Sequence, residues 1–482
     1  MPTSSHCTRR ALHHLLLVVC LYSTASAHAQ RLVFAHYMLA NQDTTADTPT
    51  GESNIASYQR EIQQAQSIGI DGFALNAGGW SKEPRYIRRA SEMFEAAYRL
   101  HSNFKLMFSA DMCCSNDAAD VLDMVRRFAN NPRYASIYFQ HDGRFVLTTF
   151  AGSSHGPQFW QQLRSNLEHG TAPSLQPAPN ALSTVAGVPS SAPLRIFLVP
   201  SFFWGGETPT AADIASGLAP YQHILDGALY WGIAGAPGLA HPPDQLPSSA
   251  AYAATLHAAH KLYMAPICFQ FWGANANRYY EYSGYQGMRA LWMQAIQTTH
   301  PDWVEIITWN DFIEGTYVSP IDDPAKYPAA NDLGASIAPA DTPHFFHSHR
   351  GATDLLAYFI AWYKTGHQPT LQTDAIYWAY RTVLSTKQEP PINLYGPVAD
   401  TLYITANLTA PADLTVTLGP TEMTLTLPAG SNDLQLPLTP GPAPRFTLTR
   451  NHAPLTQSTA DDPITAAAPY PNLYYSTGSM HD

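Results

Sequence analysis

The chain has 482 residues, of which 45% are apolar and 12% aromatic, so it can form a large core and exceeds most single domains in length. Only 13% of the residues are charged, and the formal net charge is −11. An acidic surface disfavours nucleic acid and anionic membranes as partners. The composition therefore favours a folded protein that binds a neutral ligand.

The first 29 residues have the pattern of a secretory signal peptide. Arg9 and Arg10 precede the apolar stretch ALHHLLLVVCLYSTASA, and the small residues around Ala27 offer cleavage sites. This stretch is too short for a transmembrane helix. We expect cleavage, export to an extracellular or periplasmic space, and no membrane attachment afterwards.

Three cysteines remain after such a cleavage, namely Cys113, Cys114 and Cys268. They do not form a disulfide scaffold, and the adjacent pair lacks the spacing of a zinc site. A bridge from Cys268 to Cys113 or Cys114 fits an oxidising compartment, and a set of buried free thiols fits the sequence equally well.

From residue 31 onwards, short apolar runs alternate with amphipathic helical patterns. Eight runs are predicted as strands, with ends near residues 37, 76, 111, 150, 202, 232, 271 and 311. Helical patterns lie between most of them, as at 52–69, 83–101, 115–131 and 285–299, and a last one covers 353–366. Strands that alternate with helices pair in parallel through right-handed crossovers. The pattern predicts an α/β fold, a (β/α)8 TIM barrel over residues 30–390.

An open doubly wound sheet is the main alternative to the barrel. It has little support, because no G-x-G-x-x-G turn follows the first predicted strand. Ser115 is a plausible N-cap for the third helical pattern.

The composition changes after residue 390. Residues 400–450 alternate apolar residues with threonine, and proline or glycine clusters interrupt them. This pattern is typical of short antiparallel strands. We predict a small C-terminal antiparallel β-sandwich in an accessory domain over 391–482. Its tail, from about residue 451, has little periodicity and is expected to pack loosely.

Polar and aromatic residues cluster at the predicted strand ends, where barrel enzymes carry out their chemistry. Aromatic rings stack on the apolar faces of sugars, and amides and carboxylates bind sugar hydroxyls. Each aromatic ring also fits an ordinary core position. The predicted sugar contacts are His36, Tyr37, Asn76, Asp111, Ser201, Trp204, Trp231, Gln270, Trp272, Trp309, Asn310 and Tyr317.

The segment WNDFIEGTY, residues 309–317, follows the last predicted strand and carries Asp311 and Glu314. Hydrolysis of a glycosidic bond needs one protonated acid for the leaving oxygen and one carboxylate that acts on water or on the sugar. Two acids in a shared, partly dry site take on different pKa values, which separates these roles. The spacing D-x-x-E alone fits a loop with two solvated acids just as well.

The motif WNDFIE, together with VFAHYM, IGIDGFALNAG, KLMFSADM and LVPSFFW, resembles glycoside hydrolase family 71, the secreted α-1,3-glucanases or mutanases. The resemblance covers roughly residues 31–380 in the same order. It implies a barrel with an accessory β domain, hydrolysis of α-1,3-glucan with inversion, and Asp311 and Glu314 as the catalytic pair. The family commonly has Gly and Ser beside this glutamate, where the present chain has Ile313 and Gly315.

Within the pair, we expect Glu314 to be the proton donor and Asp311 the base that activates water. The apolar neighbours Phe312 and Ile313 would desolvate Glu314 and raise its pKa. The predicted protein is a monomeric, endo-acting hydrolase of an α-glucan polysaccharide or oligosaccharide, without metal or cofactor.

Three other functions stay open. The related endo-α-mannosidases also use two acids three positions apart, which makes α-mannan the nearest rival substrate. A noncatalytic glycan-binding protein could use the same aromatic residues. A metal hydrolase using His344, His347 and His349 has the least support, because these residues lie in a loop region rich in proline and aspartate.

Overall fold

The computed structural model describes residues 31–40, 52–113, 116–170, 176–206, 208–232, 242–273, 278–320, 347–384, 393–395, 398–467 and 473–482. The predicted signal peptide, Ser115, Cys114 and His344 lie outside the described residues.

The chain up to residue 307 contains short strands, most of which are buried over most of their length. In chain order, these strands are β1 (Leu32–Met38), β2 (Gly72–Ala77), β3 (Lys105–Asp111), β4 (Gln140–His141), β5 (Arg144–Phe150), β6 (Ile196–Pro200), β7 (Gly227–Leu229), β8 (Leu262–Cys268), β9 (Phe271–Gly273), β10 (Arg278–Tyr280) and β11 (Trp303–Ile307).

Eight of these strands pair in parallel to form a curled sheet in the order β6-β5-β3-β2-β1-β11-β8-β7. The two end strands of this sheet meet at a single parallel bridge between Ser201 and Leu229. The predicted strand ends lie close to the observed ones, and the largest difference is 311 against Ile307. The prediction of a mixed α/β fold with a parallel sheet is confirmed.

Helices alternate with these strands, as the amphipathic patterns predict. They are α1 (Glu52–Ser67), α2 (Arg85–Leu100), α3 (Ala118–Ala129), α4 (Pro157–His169), α5 (Ala211–Leu218), α6 (Pro242–Ala258), α7 (Tyr285–Gln294) and α8 (Arg350–Thr365). The N-cap of α3 is Asp117 rather than Ser115, because the Asp117 carboxylate accepts hydrogen bonds from the amides of Ala119 and Asp120.

The C-terminal part consists mainly of antiparallel strands. They are β12 (Ala375–Arg381), β13 (Asn393–Tyr395), β14 (Thr401–Leu408), β15 (Ala412–Leu418), β16 (Thr421–Leu427), β17 (Gly430–Pro437), β18 (Arg445–Arg450), β19 (Ala453–Thr459) and β20 (Tyr475–His481). Two four-stranded sheets form, in the orders β17-β14-β12-β20 and β16-β15-β18-β19. Their facing side chains share one apolar cluster, in which Trp378 stacks on Phe446 at a centroid distance of 4.5 Å.

Two features of this region differ from the sequence-based expectation. Strand β12 precedes residue 391 yet pairs with β14 and β20. In the tail after residue 451, the described residues form strands rather than pack loosely, since β19 extends one sheet and β20 pairs with β12 along its whole length. Strand β13 pairs with β10, which lies between β8 and β11 in the chain. Residues 31–482 form one compact unit.

Candidate active site

Asp311 and Glu314 lie in a tight turn that follows β11; we call residues 311–315 the acid turn. The Asp311 Oδ1 atom accepts hydrogen bonds from the amides of Ile313 and Glu314, both at 3.1 Å. Aspartate favours such turns because its short carboxylate reaches the amides that follow. Gly315 has a φ of +63°, which lets the chain leave the turn without steric strain.

Neighbouring segments hold both ends of this turn. The side chain of Asn310 bonds both backbone groups of Met38, accepting from its amide at 2.7 Å and donating to its carbonyl at 3.1 Å. The amide of Trp272 donates to the carbonyl of Glu314 at 2.8 Å. The hydroxyl of Tyr474 donates to the carbonyl of Phe312 at 2.5 Å. The two acids are therefore presented by a fixed backbone.

The two carboxyl groups differ in burial, and the difference is opposite to our expectation. Asp311 is only 6% exposed, whereas Glu314 is half-buried. Burial raises the pKa of Asp311, and the hydrogen bond from the Glu314 amide and the charge of His36 oppose that rise. The apolar residues next to Glu314 in sequence do not make it the more desolvated acid, because the turn directs Asp311 inward.

A buried pair of titratable groups lies near Asp311. His36 Nδ1 and Glu305 Oε1 are 2.8 Å apart, and both side chains are fully buried. Glu305 Oε2 has no hydrogen-bond partner in the described part of the chain. Glu305 is not among the predicted site residues, although a charged residue inside the apolar run DWVEII was an available signal.

A series of contacts that runs through Phe150 joins four of the predicted sugar contacts. The ring of Trp231 meets His36 edge-on at 4.6 Å and Phe150 at 5.1 Å. Phe150 is the register partner of Asp111, whose Oδ2 accepts a hydrogen bond from Asn76 at 3.4 Å. His36, Asn76, Asp111 and Trp231 thus lie together at the carboxyl ends of the parallel strands, and His36 is close enough to Asp311 for its charge to lower the pKa of that carboxyl.

The predicted sugar contacts Gln270 and Trp272 lie beside the acid turn. A third predicted contact, Ser201, lies where β6 meets β7. Gln270 accepts a hydrogen bond from the Tyr475 amide at 2.8 Å. Gln270 Nε2, Trp272 Nε1 and Ser201 Oγ are buried and have no hydrogen-bond partner among the described residues. Buried polar atoms are normally paired, so these three stand out as polar groups that could bind a ligand or water.

Tyr37 and Trp309 were predicted as sugar contacts, but the structure does not support this role. Both side chains point away from the acid turn. The Tyr37 hydroxyl and the Trp309 indole each donate to the carboxylate of Glu61 on α1, at 3.1 Å and 3.0 Å. Successive side chains of a strand point to opposite faces of the sheet. His36 points to the face that the curled sheet encloses, so its neighbour Tyr37 points outward to the helices.

Trp204, Tyr317 and Asn310 were also predicted as sugar contacts. The structure instead places their rings or polar atoms in contact with other residues of the protein core. Trp204 stacks on Phe202 at 5.1 Å, and its amide donates to the hydroxyl of Tyr252 on α6. The ring of Tyr317 stacks on His349 at 3.9 Å, and its hydroxyl bonds the backbone of His347. Both polar groups of the Asn310 side chain form hydrogen bonds with the backbone of Met38.

The histidines of the proposed metal alternative have other contacts. His347 Nδ1 lies 3.0 Å from Asp462, and His349 Nδ1 lies 2.6 Å from the carbonyl of Tyr317. Among the described residues, no cluster of His, Cys, Asp and Glu has a metal-binding arrangement. Cys268 is a buried free thiol. None of the described helices is long and apolar enough to cross a membrane.

A family model described as glycosyl hydrolase family 71 matches residues 29–478. The chain therefore belongs to glycosyl hydrolase family 71 and is a glycoside hydrolase, which confirms the resemblance inferred from the sequence.

The chain is 25% identical over 480 residues to a glucan endo-1,3-α-glucosidase of Schizosaccharomyces pombe, covering 97% of this chain and 99% of the relative. It is 26% identical over 408 residues to a mutanase of Penicillium rubens, covering 82% and 76% of the two chains. Among solved structures, a GH99 endo-α-mannosidase of Bacteroides thetaiotaomicron matches with 10% identity and a TM-score of 0.48, covering 70% of this chain and 98% of the other.

Proposed function

We propose that this protein hydrolyses α-1,3-glucan within the polymer chain, with Asp311 and Glu314 as its catalytic carboxyl groups. The observation that carries the proposal is the acid turn, which presents both residues directly after β11 in a member of this family. The names of the Schizosaccharomyces and Penicillium relatives support the substrate and the endo mode of cleavage.

The proposed reaction inverts the anomeric carbon. Asp311 removes a proton from water as the water oxygen bonds to that carbon, and Glu314 protonates the glycosidic oxygen as its bond to the carbon breaks. The raised pKa that we expected for the donor belongs to Asp311 instead, because burial raises the pKa of that carboxyl. We keep Asp311 as the base on a different ground, namely that a carboxylate with a raised pKa is the stronger base. The half-buried Glu314 has access to solvent, from which it regains its proton after each turnover.

The proposed sugar contacts are the predicted residues that lie near the acids. Trp231 supplies an aromatic ring, and amide, carboxylate and hydroxyl groups accept or donate hydrogen bonds to sugar hydroxyls. The buried Gln270 Nε2 and Trp272 Nε1 atoms next to the acid turn support this assignment. The set comprises His36, Asn76, Asp111, Ser201, Trp231, Gln270 and Trp272.

The proposed architecture is a (β/α)8 barrel over residues 30–390 and a C-terminal β-sandwich over 391–482. The bridge between Ser201 and Leu229 supports a barrel, because it links the two end strands of the curled sheet. The apolar cluster shared by the two antiparallel sheets supports a sandwich. In this division, β12 is a sandwich strand contributed from the barrel side of the boundary.

The proposed protein is a secreted monomer that loses a signal peptide over residues 1–29. The basic, apolar and small-residue segments of that stretch support export.

The test is an incubation of the purified protein with insoluble α-1,3-glucan and, separately, with α-mannan. We expect soluble oligosaccharides of several lengths from the glucan, and NMR of the first products should show the β-anomer. Monosaccharide as the sole early product would exclude endo cleavage, and an α-anomer would exclude inversion. Cleavage of α-mannan without cleavage of glucan would replace the proposed substrate.

A further inference from the structure

The C-terminal segment reaches the acid turn through Tyr474. The Tyr474 hydroxyl donates to the carbonyl of Phe312, the residue that follows Asp311, across 162 positions of sequence. This side chain is fully buried, and its ring lies 6.2 Å from that of Tyr317. A residue far from the acids in sequence thus bonds the backbone between them.

Tyr474 and Gln270 also leave no room for a side chain at Gly315. A Cβ atom at that position would lie 2.6 Å from a ring carbon of Tyr474 and 2.9 Å from Gln270 Nε2. Real Cβ atoms do not approach neighbours so closely. The acid turn is therefore packed directly against the C-terminal segment, in addition to being hydrogen-bonded to it.

The segment that carries Tyr474 is itself held firmly. Strand β20, which begins at Tyr475, pairs with every residue of β12. The Tyr475 hydroxyl donates to Glu281 at 2.9 Å, and Glu281 forms a fully buried ion pair with Arg381 of β12. Removing either member of a buried pair leaves an uncompensated charge, so these groups fix β20 against the segment after β10.

We propose that Tyr474 is a positioning residue for catalysis, which fixes the relative placement of Asp311 and Glu314 through the Phe312 carbonyl. This inference rests on the proposed function of the two acids. Catalytic groups must be held within a fraction of an ångström, and a displacement of about 1 Å can reduce the rate by about 10²-fold. The C-terminal sheets are therefore part of the active-site framework.

The chemistry of Tyr474 suits this role. Burial raises its pKa well above the ordinary range, and the charges of Tyr317, Asp311 and Glu314 raise it further. The hydroxyl therefore keeps its proton and remains a donor to the Phe312 carbonyl at the pH values at which carboxyl groups titrate.

The test is Tyr474→Phe in the full chain, assayed on α-1,3-glucan. We expect kcat to fall by about 10- to 100-fold while KM stays within about twofold, because the binding residues are unchanged. A loosened turn weakens the amide hydrogen bonds to Asp311, which lower its pKa. The acidic limb of the kcat/KM profile should accordingly move to higher pH, an effect that a purely structural role would not produce.

Tyr285→Phe is the matched control. Its hydroxyl is equally buried and donates to the backbone carbonyl of Trp378 at 2.9 Å, but it does not touch the acid turn. We expect a similar loss of thermal stability with unchanged kcat and pH profile. Equal kinetics for Tyr474→Phe and Tyr285→Phe would overturn the inference.

Two more variants separate this inference from the proposed function. Asp311→Asn and Glu314→Gln should be inactive on glucan; if both retain activity, the catalytic pair and the positioning role fail together. If they are inactive and Tyr474→Phe equals wild type, the positioning role alone fails. Should Tyr474→Phe not fold, Gly315→Ala displaces the Tyr474 ring and also strains the turn and meets Gln270, so it must lower kcat by at least about 10-fold, and wild-type kinetics for it would contradict the proposal.

Discussion

The parallel sheet and the antiparallel sheet β16-β15-β18-β19 bury their residues in different ways. Strands such as β1, β2 and β8 are buried along nearly their whole length, whereas β15 alternates between buried and half-buried residues and β16 mainly between half-buried and exposed ones. In the other antiparallel sheet, β12 and β14 are buried throughout. A parallel sheet is covered on both faces, while an antiparallel sheet commonly has one face toward water.

The two regions also differ in what they bury. The core shared by the antiparallel sheets is an apolar cluster that includes Trp378, Leu414 and Phe446. The parallel sheet encloses polar groups as well, among them His36 and the Glu305 carboxylate. Buried polar groups cost stability unless they are paired. Both regions therefore contain buried charged groups: Arg381 of β12 is paired with Glu281, whereas the His36–Glu305 pair lies beside the acid turn and leaves Glu305 Oε2 without a hydrogen-bond partner among the described residues.

The largest expected effect in the parallel region is on catalysis. Glu314→Gln should reduce hydrolysis of glucan by about 10²- to 10⁴-fold, because the leaving oxygen loses its proton donor. The same variant should spare an oligoglucosyl fluoride, whose leaving group needs no proton. Asp311→Asn should impair both substrates, since each requires an activated water. Steady-state kinetics on the two substrates measure the difference.

Asp142→Asn is the control for these variants, because its side chain is 75% exposed and lies in the turn after β4. It should leave the kinetics unchanged. The reverse pattern on the two substrates would exchange the roles of Asp311 and Glu314.

The largest expected effect in the antiparallel region is on stability. Trp378→Ala removes the ring that stacks on Phe446 and should lower the free energy of unfolding by about 3–5 kcal/mol. Thr415→Ala, on the outer face of β15, should change it by no more than about 0.5 kcal/mol. Urea unfolding followed by fluorescence measures both, and equal values would refute the assignment of the stabilising core.

A pair of tryptophans tests the comparison in a single assay. Trp231 and Trp204 are each 6% exposed, but only Trp231 contacts His36 beside the acids. Trp231→Ala should weaken glucan binding by about 1–3 kcal/mol, seen as a higher KM. Trp204→Ala should reduce thermal stability without changing KM. A higher KM for both variants would show that Trp204 also contacts the substrate.

The smallest effect concerns the pH dependence of stability. Burial raises the pKa of Asp311 in the folded protein above its ordinary value of 3.8, so the folded state binds this proton more tightly than the unfolded state does. The contribution of Asp311 to stability is therefore lost as pH rises from about 3.8 through the folded-state pKa. Asp311→Asn should match wild type in acid and become relatively more stable toward neutral pH. Thermal melts over this range measure it, and a gain confined to acid would reverse the sign.

The alternation of strands and helices could be predicted because each element has a local pattern. The position of the acid pair could be predicted for the same reason, because Asp311 and Glu314 come shortly after an apolar run that has the pattern of a strand. The direction of neighbouring side chains could not be predicted. His36 and Tyr37 are adjacent in a strand that is buried on both faces, so no polar alternation indicates which of them points inward.

Contacts between segments that are distant in the chain could also not be predicted from the sequence. Nothing in the periodicity of the tail indicates that Tyr474 bonds the acid turn, because the contact depends on how the C-terminal sheets pack. Tyr317 and Trp309 failed as sugar contacts for a related reason. Aromatic residues near an active site are as often part of its supporting core, and only their contacts with His349 and Glu61 distinguish the two cases.

The bond between Tyr474 and Phe312 also bears on the order in which the protein is made. Phe312 leaves the ribosome 162 residues before Tyr474, which at about 5–20 residues per second is a delay of roughly 10–30 s. During that time the growing chain contains both acids but lacks the residue that holds them in place. We expect a polysaccharide exposed to the unfinished chain to be cut far more slowly, because the hydrolase reaches its full activity only after Tyr474 has been added and β20 has formed.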